Sequence, residues 1–189
     1  MKSVIWNGKI LIILFMKLVF LCSNATAGER YDLDEFFSDI MHIAIPLSAA
    51  VYSASIGDWQ GELQLTYSYA MTIGTTLLLK RAVDAKRPNG GRYSFPSGHT
   101  SSAFAGAAYW QMRYGWEFGV PMYAAAALVA YQRVDIKAHY WRDIIAGATI
   151  GIGFNYLFTR RYGDDDKSEQ RMSLIPTHKG VYFNFSMRF

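Results

Sequence analysis

Five stretches of the chain are apolar or built of small residues, and polar or turn-forming clusters separate them. They run over Phe36–Ser55, Leu65–Lys80, Thr100–Met112, Phe118–Tyr131 and His139–Phe158. Each is at least ten residues long, rich in Ala, Leu, Ile and Met, and bounded by Gly, Pro or charge. That pattern predicts helices rather than strands. The breaks fall at Ile56-Gly57-Asp58, Arg87–Pro96, Tyr114-Gly115-Trp116-Glu117 and Arg133–Ala138, and a polar, acidic lead-in (ERYDLDEFFSD) precedes the first helix. The tail follows another rule. Val181, Phe183, Phe185, Met187 and Phe189 alternate with Tyr182, Asn184, Ser186 and Arg188. A period of two predicts a strand, which Thr177-His178-Lys179-Gly180 can turn back on Met172–Ile175. The expected fold is all-α, a bundle of five to six helices, with a short C-terminal β-hairpin or strand packed on it.

The first 27 residues, MKSVIWNGKILIILFMKLVFLCSNATA, read as a secretory signal. Lys2 and Lys9 precede an apolar run, and Ala25-Thr26-Ala27 offers small residues for cleavage before Gly28. Lys17 interrupts the run, so an uncleaved N-terminal anchor is the alternative. Residues 28–162 then form one helical domain, and residues 163–189 a polar linker with the amphipathic strand. The formal charge of +4 comes from 19 Lys+Arg against 15 Asp+Glu, and three of those lysines lie in the signal. Its removal also takes Cys22, the only cysteine, so an exported mature chain would owe its stability to packing rather than disulfides. No Lys/Arg-rich block with interleaved aromatics appears, which argues against nucleic-acid binding.

A bilayer-spanning helix needs about 20 apolar residues. Only Phe36–Ser55 approaches this, and it carries Asp39 and His42. The remaining segments are rich in Gly, Ala, Ser and Thr, which suits close helix contact in a membrane and equally a tight soluble bundle. Mean hydropathy is +0.05, low for several spans. Trp59, Trp110, Trp116 and Trp141 stand near segment ends, where interfacial aromatics would lie.

The candidate chemistry sits at those ends too. In RYSFPSGHT, Pro96 suits the first position of a helix, and Ser97 and Gly98 leave backbone N–H groups uncovered at its positive end. In LKRAVDAKRP, Lys80 and Arg87 are seven apart, two helical turns, and face one way. In QRVDIKAHYWRD, His139 and Asp143 are i and i+4, so the carboxylate can hold one imidazole nitrogen and aim the other outward. Arg133 lies six residues before His139, just ahead of the helix. Each piece alone also fits an ordinary role: a PSG turn, a Lys80–Asp84 surface pair, a structural His139–Asp143 hydrogen bond. Their joint occurrence in this order does not.

Taken together, Lys80, Arg87-Pro88, Pro96-Ser97-Gly98-His99, Arg133, His139 and Asp143 resemble the three motifs of the type 2 phosphatidic acid phosphatase (PAP2) superfamily. That superfamily includes bacterial acid phosphatases, membrane lipid phosphatases and vanadium haloperoxidases. Gln132 departs from the pattern, which usually has Ser there, and the seven residues between Pro88 and Pro96 leave room for only a small lid. The resemblance implies catalytic roles for His139 as nucleophile, Asp143 as its orienting partner, and His99 as general acid and base. It implies phosphate binding by Lys80, Arg87, Ser97, Gly98 and Arg133. It implies no metal and no cofactor. The expected activity is removal of phosphate from a monoester or diphosphate by way of a phosphohistidine. The expected substrate is a membrane lipid of the lipid A, undecaprenyl diphosphate or phosphatidylglycerol phosphate type, met at the periplasmic face of the inner membrane. A soluble periplasmic acid phosphatase of broad specificity is the alternative, and a vanadate-dependent haloperoxidase the remote one.

Overall fold

The computed structural model describes residues 27–164, 172–177 and 180–185, with side chains described for residues 35–164. The expected signal segment and the linker at 165–171 lie outside the described residues. Within them the helices are Ala27–Ser55 (α1), Trp59–Val83 (α2), Gly98–Tyr109 (α3), Trp116–Asp135 (α4) and Trp141–Phe158 (α5). A turn of π-helix, Trp110–Tyr114, continues α3. Strands Met172–Thr177 (β1) and Gly180–Phe185 (β2) pair antiparallel, with Leu174 opposite Phe183.

Several boundaries differ from the sequence reading. Helix α1 takes in the acidic lead-in. Helix α2 starts at Trp59 because Asp58 caps it, its Oδ1 accepting from the Gly61 N–H at 2.9 Å. Helix α4 runs to Asp135 and so includes Arg133, which the sequence placed in a loop. Pro96 stands before Ser97, the N-cap of α3, rather than at the first helical position.

Helix α3 is the axis of the bundle. It packs against α1, α2, α4 and α5, which its sequence GHTSSAFAGAAY allows by presenting mostly small side chains. Gly147 and Gly151 of α5 bring backbone against backbone. A Cβ at Gly147 would lie 2.6 Å from the Ser97 carbonyl oxygen, and one at Gly151 would lie 2.5 Å from that of Ser101. Around this axis Phe37, Met41, Ile45 and Ala49 of α1 join Ala103, Ala107, Trp110, Met122, Ala126 and Val129 in one buried cluster. Trp110 therefore belongs to the core, whereas Trp59, Trp116 and Trp141 are exposed.

The helices alternate up and down along the chain, the longest connection being the loop from α2 to α3. The C-terminal ends of α2 and α4 therefore meet the N-terminal ends of α3 and α5 at one pole of the bundle. The opposite pole is fastened by a buried ion pair. Arg113, wholly excluded from solvent, donates to Asp58 through Nε at 2.8 Å and Nη2 at 2.5 Å. Tyr114 donates to the same carboxylate at 2.8 Å, and Arg113 Nη1 donates to the Arg160 carbonyl at 3.0 Å. The outer face of α1 is apolar, with Phe36, Ile40, Ile43, Leu47 and Val51 exposed. By length and hydropathy, Glu35–Ser55 is the one segment among the described residues that could cross a membrane.

Candidate active site

The pole where four helix ends meet holds a cleft of about 310 Å³, lined among others by Lys80, Arg87, Gly98, His99 and His139. Lys80 stands in the last turn of α2, which Asp84 terminates in a left-handed conformation (φ 43°). Arg87 is therefore not two helical turns from Lys80. It reaches the cleft from the loop that follows, where its Nε donates to the Arg92 carbonyl at 3.1 Å. That loop is a braced structure. Arg92 pairs with Asp84, the Ser94 N–H donates to the Ala85 carbonyl at 2.8 Å, and Lys80 Nζ donates to the Tyr93 carbonyl at 2.8 Å.

His139 and Asp143 come close, though beyond direct hydrogen-bonding distance, and not by sharing a helix face. Helix α5 begins only at Trp141, with Tyr140 as N-cap and Asp143 in its first turn. The Asp143 Oδ2 accepts from the Tyr140 N–H at 3.0 Å and from Ser94 Oγ at 2.5 Å, and it lies 3.7 Å from His139 Nδ1. Ser94 Oγ is itself 3.5 Å from His139 Nδ1. The backbone of His139 is held separately, its N–H donating to the Arg133 carbonyl at 3.0 Å. The end of α4 and the start of α5 thus position the imidazole together.

Electrostatics favours a neutral His139. Burial first, then Lys80, Arg87 and Arg133, push its pKa down to about 3 against the opposing pull of Asp143. A neutral imidazole with one nitrogen facing a carboxylate is a nucleophile ready at ordinary pH. Lys80 is likewise lowered, to about 8, chiefly by burial and then by Arg87. Burial lowers Arg133 too, partly offset by Asp39.

Ser97 and Arg133 do not line the cleft. Ser97 is fully buried, and its hydroxyl oxygen accepts from the Thr100 N–H at 3.4 Å and from Thr100 Oγ1 at 3.0 Å. Its N–H donates to the Asp143 carbonyl at 3.0 Å, which ties α3 to α5 directly beneath the site. Arg133 is 5% exposed, and its Nε has no hydrogen-bond partner among the described residues. A buried guanidinium N–H left open beside a cationic cleft suits an anionic ligand oxygen.

Three further side chains belong to the site, and the sequence did not single them out for chemistry. Ser94 supports Asp143, as above. Asp39 Oδ1 is 2.7 Å from His99 Nε2 and 3.2 Å from Arg133 Nη1. The His42 ring lies 4.0 Å from that of His99 at an angle of 51°. The available signal was that Asp39 and His42 are ionisable positions three apart in the mainly apolar stretch Phe36–Ser55. Beyond the cleft, a second and more apolar groove of about 430 Å³ runs between α1 and α2, past Ile43, Leu47, Ala50, Leu65 and Ala70. Tyr69 borders both.

Known proteins resemble this chain in sequence and in fold. The family model of the PAP2 superfamily matches residues 61–166. The chain is 31% identical over 144 residues to the lipid A 4'-phosphatase of Helicobacter pylori, covering 70% of this chain and 72% of that protein. Over 171 residues it is 26% identical to lipid phosphate phosphatase 1 of Arabidopsis thaliana, covering 78% of this chain and 50% of that one. The crystal structure of LpxE from Aquifex aeolicus superposes with a TM-score of 0.61 at 20% identity, over 75% of this chain and 92% of that one, and so shares the fold.

Proposed function

From the membership of this chain in the PAP2 superfamily, we propose that it removes phosphate from a membrane lipid through a phosphohistidine formed on His139. The observation that carries the reading is a buried imidazole, His139, with the Asp143 carboxylate 3.7 Å from its Nδ1, in a cleft that Lys80 and Arg87 also line.

In the first step the ring nitrogen of His139 remote from Asp143 attacks phosphorus in line. The bond from phosphorus to the leaving oxygen breaks, and His99 delivers its proton to that oxygen. Phosphorylation makes the imidazole cationic, and the Asp143 carboxylate, fixed by Ser94 and the Tyr140 N–H, stabilises that charge. In the second step His99 takes a proton from water, the hydroxide attacks phosphorus, and His139 leaves as neutral imidazole. Lys80, Arg87 and Arg133 balance the equatorial oxygens, where pre-positioned cations act most strongly in a site poor in water. Gly98 presents its N–H at the helix N-terminus, and Ser97 holds that terminus in place. Burial, Arg133 and His42 hold His99 down at about 4. A phosphate dianion in the cleft favours its protonated form.

The lipid assignment rests on two supports. The groove between α1 and α2 shares Tyr69 with the phosphate cleft, so a headgroup in one leaves an acyl chain to lie in the other. The named relatives act on lipid A and lipid phosphates, which makes a lipid A type phosphate the first candidate, ahead of undecaprenyl diphosphate and phosphatidylglycerol phosphate. The apolar outer face of α1 and the exposed Trp residues at helix ends suit a protein seated in the outer side of the inner membrane.

The deciding experiment is a panel of these lipids and of water-soluble phosphate esters, with phosphate release measured on purified full-length protein in mixed micelles. The expected result is kcat/KM at least about 100-fold higher on one lipid class than on p-nitrophenyl phosphate, the scale set by a few kcal/mol of apolar contact. Equal values would overturn the lipid assignment in favour of a broad-specificity phosphatase.

A further inference from the structure

We propose that Asp39 of α1 is a positioning residue that holds the general acid His99 and the phosphate-binding Arg133 in one register. This rests on the phosphatase reading above and adds to it a residue that lies outside the 61–166 family match.

The geometry singles out one oxygen. Asp39 Oδ1 is within 2.7 Å of His99 Nε2, from α3, and 3.2 Å of Arg133 Nη1, from α4. The neighbouring Ser38 accepts from the same Nη1 at 3.0 Å. Ser38 is fully buried and donates to the Glu35 carbonyl at 2.9 Å, so it has little freedom to follow the arginine elsewhere. One turn further on, His42 lies against the His99 ring, and its own Nδ1 is 3.1 Å from the Ser38 carbonyl oxygen. Helix α1 thus grips the acid between a carboxylate and a ring, and grips the arginine between a carboxylate and a hydroxyl.

The chemistry follows from which nitrogen is taken. With Nε2–H donated to Asp39, Nδ1 of His99 is the nitrogen left to exchange a proton with the leaving group. Two of the site's imidazoles then each have a carboxylate beside them: His139 has Asp143 and His99 has Asp39. The groups around His99 explain why a carboxylate is wanted. Burial first, then Arg133 from α4 and His42 from α1, disfavour its protonated form, and Asp39 is the neighbour that favours it. Lys80, Arg87 and His139 line the same cleft and contribute no negative charge. The Asp39 side chain is 52% exposed, and an ion pair so open to water contributes little to stability.

The test compares Asp39→Asn with the wild-type full-length chain on two soluble esters, p-nitrophenyl phosphate and an alkyl phosphate. The first has a leaving group that needs no proton, and the second depends on one. Asparagine keeps the acceptor and loses the charge. The expected result is a fall in kcat on the alkyl ester at least about tenfold greater than on the nitrophenyl ester, part of the 10²–10⁴ range that general acid catalysis supplies. Asp39→Glu should recover part of the lost ratio. A purely structural role would lower both rates by one factor, and that outcome, or no change at all, would overturn the proposal. If Asp39→Asn lacks a cooperative melt, the same ratio is read on Asp39→Glu, where an unchanged ratio overturns the proposal and a shifted one supports it. A wild type inactive on both esters and on every lipid would instead refute the phosphatase reading.

Discussion

The alkaline side of the pH profile reads the electrostatics of the cleft directly. Lys80 sits half-buried where α2 ends, and burial together with Arg87 and Arg133 lowers its pKa from 10.5 to about 8. With that midpoint the ammonium is present on about nine molecules in ten at pH 7 and about one in ten at pH 9. The second ionisation of a phosphate ester, with its midpoint near about pH 6, is about nine-tenths complete at pH 7, so the substrate contributes little to a limb above that pH. Because a lysine loses charge as pH rises, kcat/KM should descend above about pH 8, by up to tenfold per pH unit. Lys80→Arg replaces the ammonium with a guanidinium that stays charged well beyond this range. The descending limb should then disappear, whatever the absolute rate. Arg87→Gln removes a cation that presses on Lys80, so the limb should move upward. Initial rates on a fluorogenic aryl phosphate below its KM, from about pH 7 to about pH 10 at constant ionic strength, give the three profiles. A Lys80→Arg enzyme with the same limb, or an Arg87→Gln limb that moves down, would refute the assignment of this titration to Lys80.

Other predictions follow from the same geometry. His139→Ala should abolish both turnover and trapping of a phosphorylated protein, and phosphoprotein still formed by the variant would place the nucleophile elsewhere. Ser94→Ala removes the 2.5 Å hydrogen bond to buried Asp143. It should cost about 1.5–3 kcal/mol, the scale of a hydrogen bond to a charged group, read by thermal or denaturant unfolding. Arg113→Met leaves Asp58 buried without its bidentate partner at the far pole, and should cost about 3–5 kcal/mol without altering the ester pH profile. Thr66→Trp and Ala70→Trp, at exposed positions lining the α1–α2 groove, should raise KM for a lipid phosphate severalfold and leave p-nitrophenyl phosphate hydrolysis unchanged. Equal effects on both substrates would remove the acyl chain from that groove.

Much of the site was legible because its chemistry sits at helix termini, where residue type and short spacing carry the signal. Lys80, Arg87, Gly98, His99 and His139 all reach one cleft. The i,i+4 spacing found His139 and Asp143, although the pair is built by the capping of α5 rather than by a common helix face. Asp39, His42 and Ser94 were missed for a different reason. Asp39 meets His99 across 60 residues and Ser94 meets Asp143 across 49, and no local period reports such a meeting. The Trp residues show the limit of position along a segment as a guide. Trp110 and Trp116 stand six apart, yet the π turn and Gly115 bury one and expose the other.

Main-chain contact, rather than the size of interlocking side chains, spaces α3 from α5. Glycine at 147 and 151 leaves nothing there to repack or slide, so the distance from the Ser97–His99 turn to Asp143 is a property of two polypeptide ridges in touch. Sequence drift over the exposed surfaces of α1, α2 and α5 can therefore accumulate without disturbing the spacing at the reacting centre. Headgroup and tail preference can diverge on the periphery while the phosphoryl-transfer hardware is inherited intact.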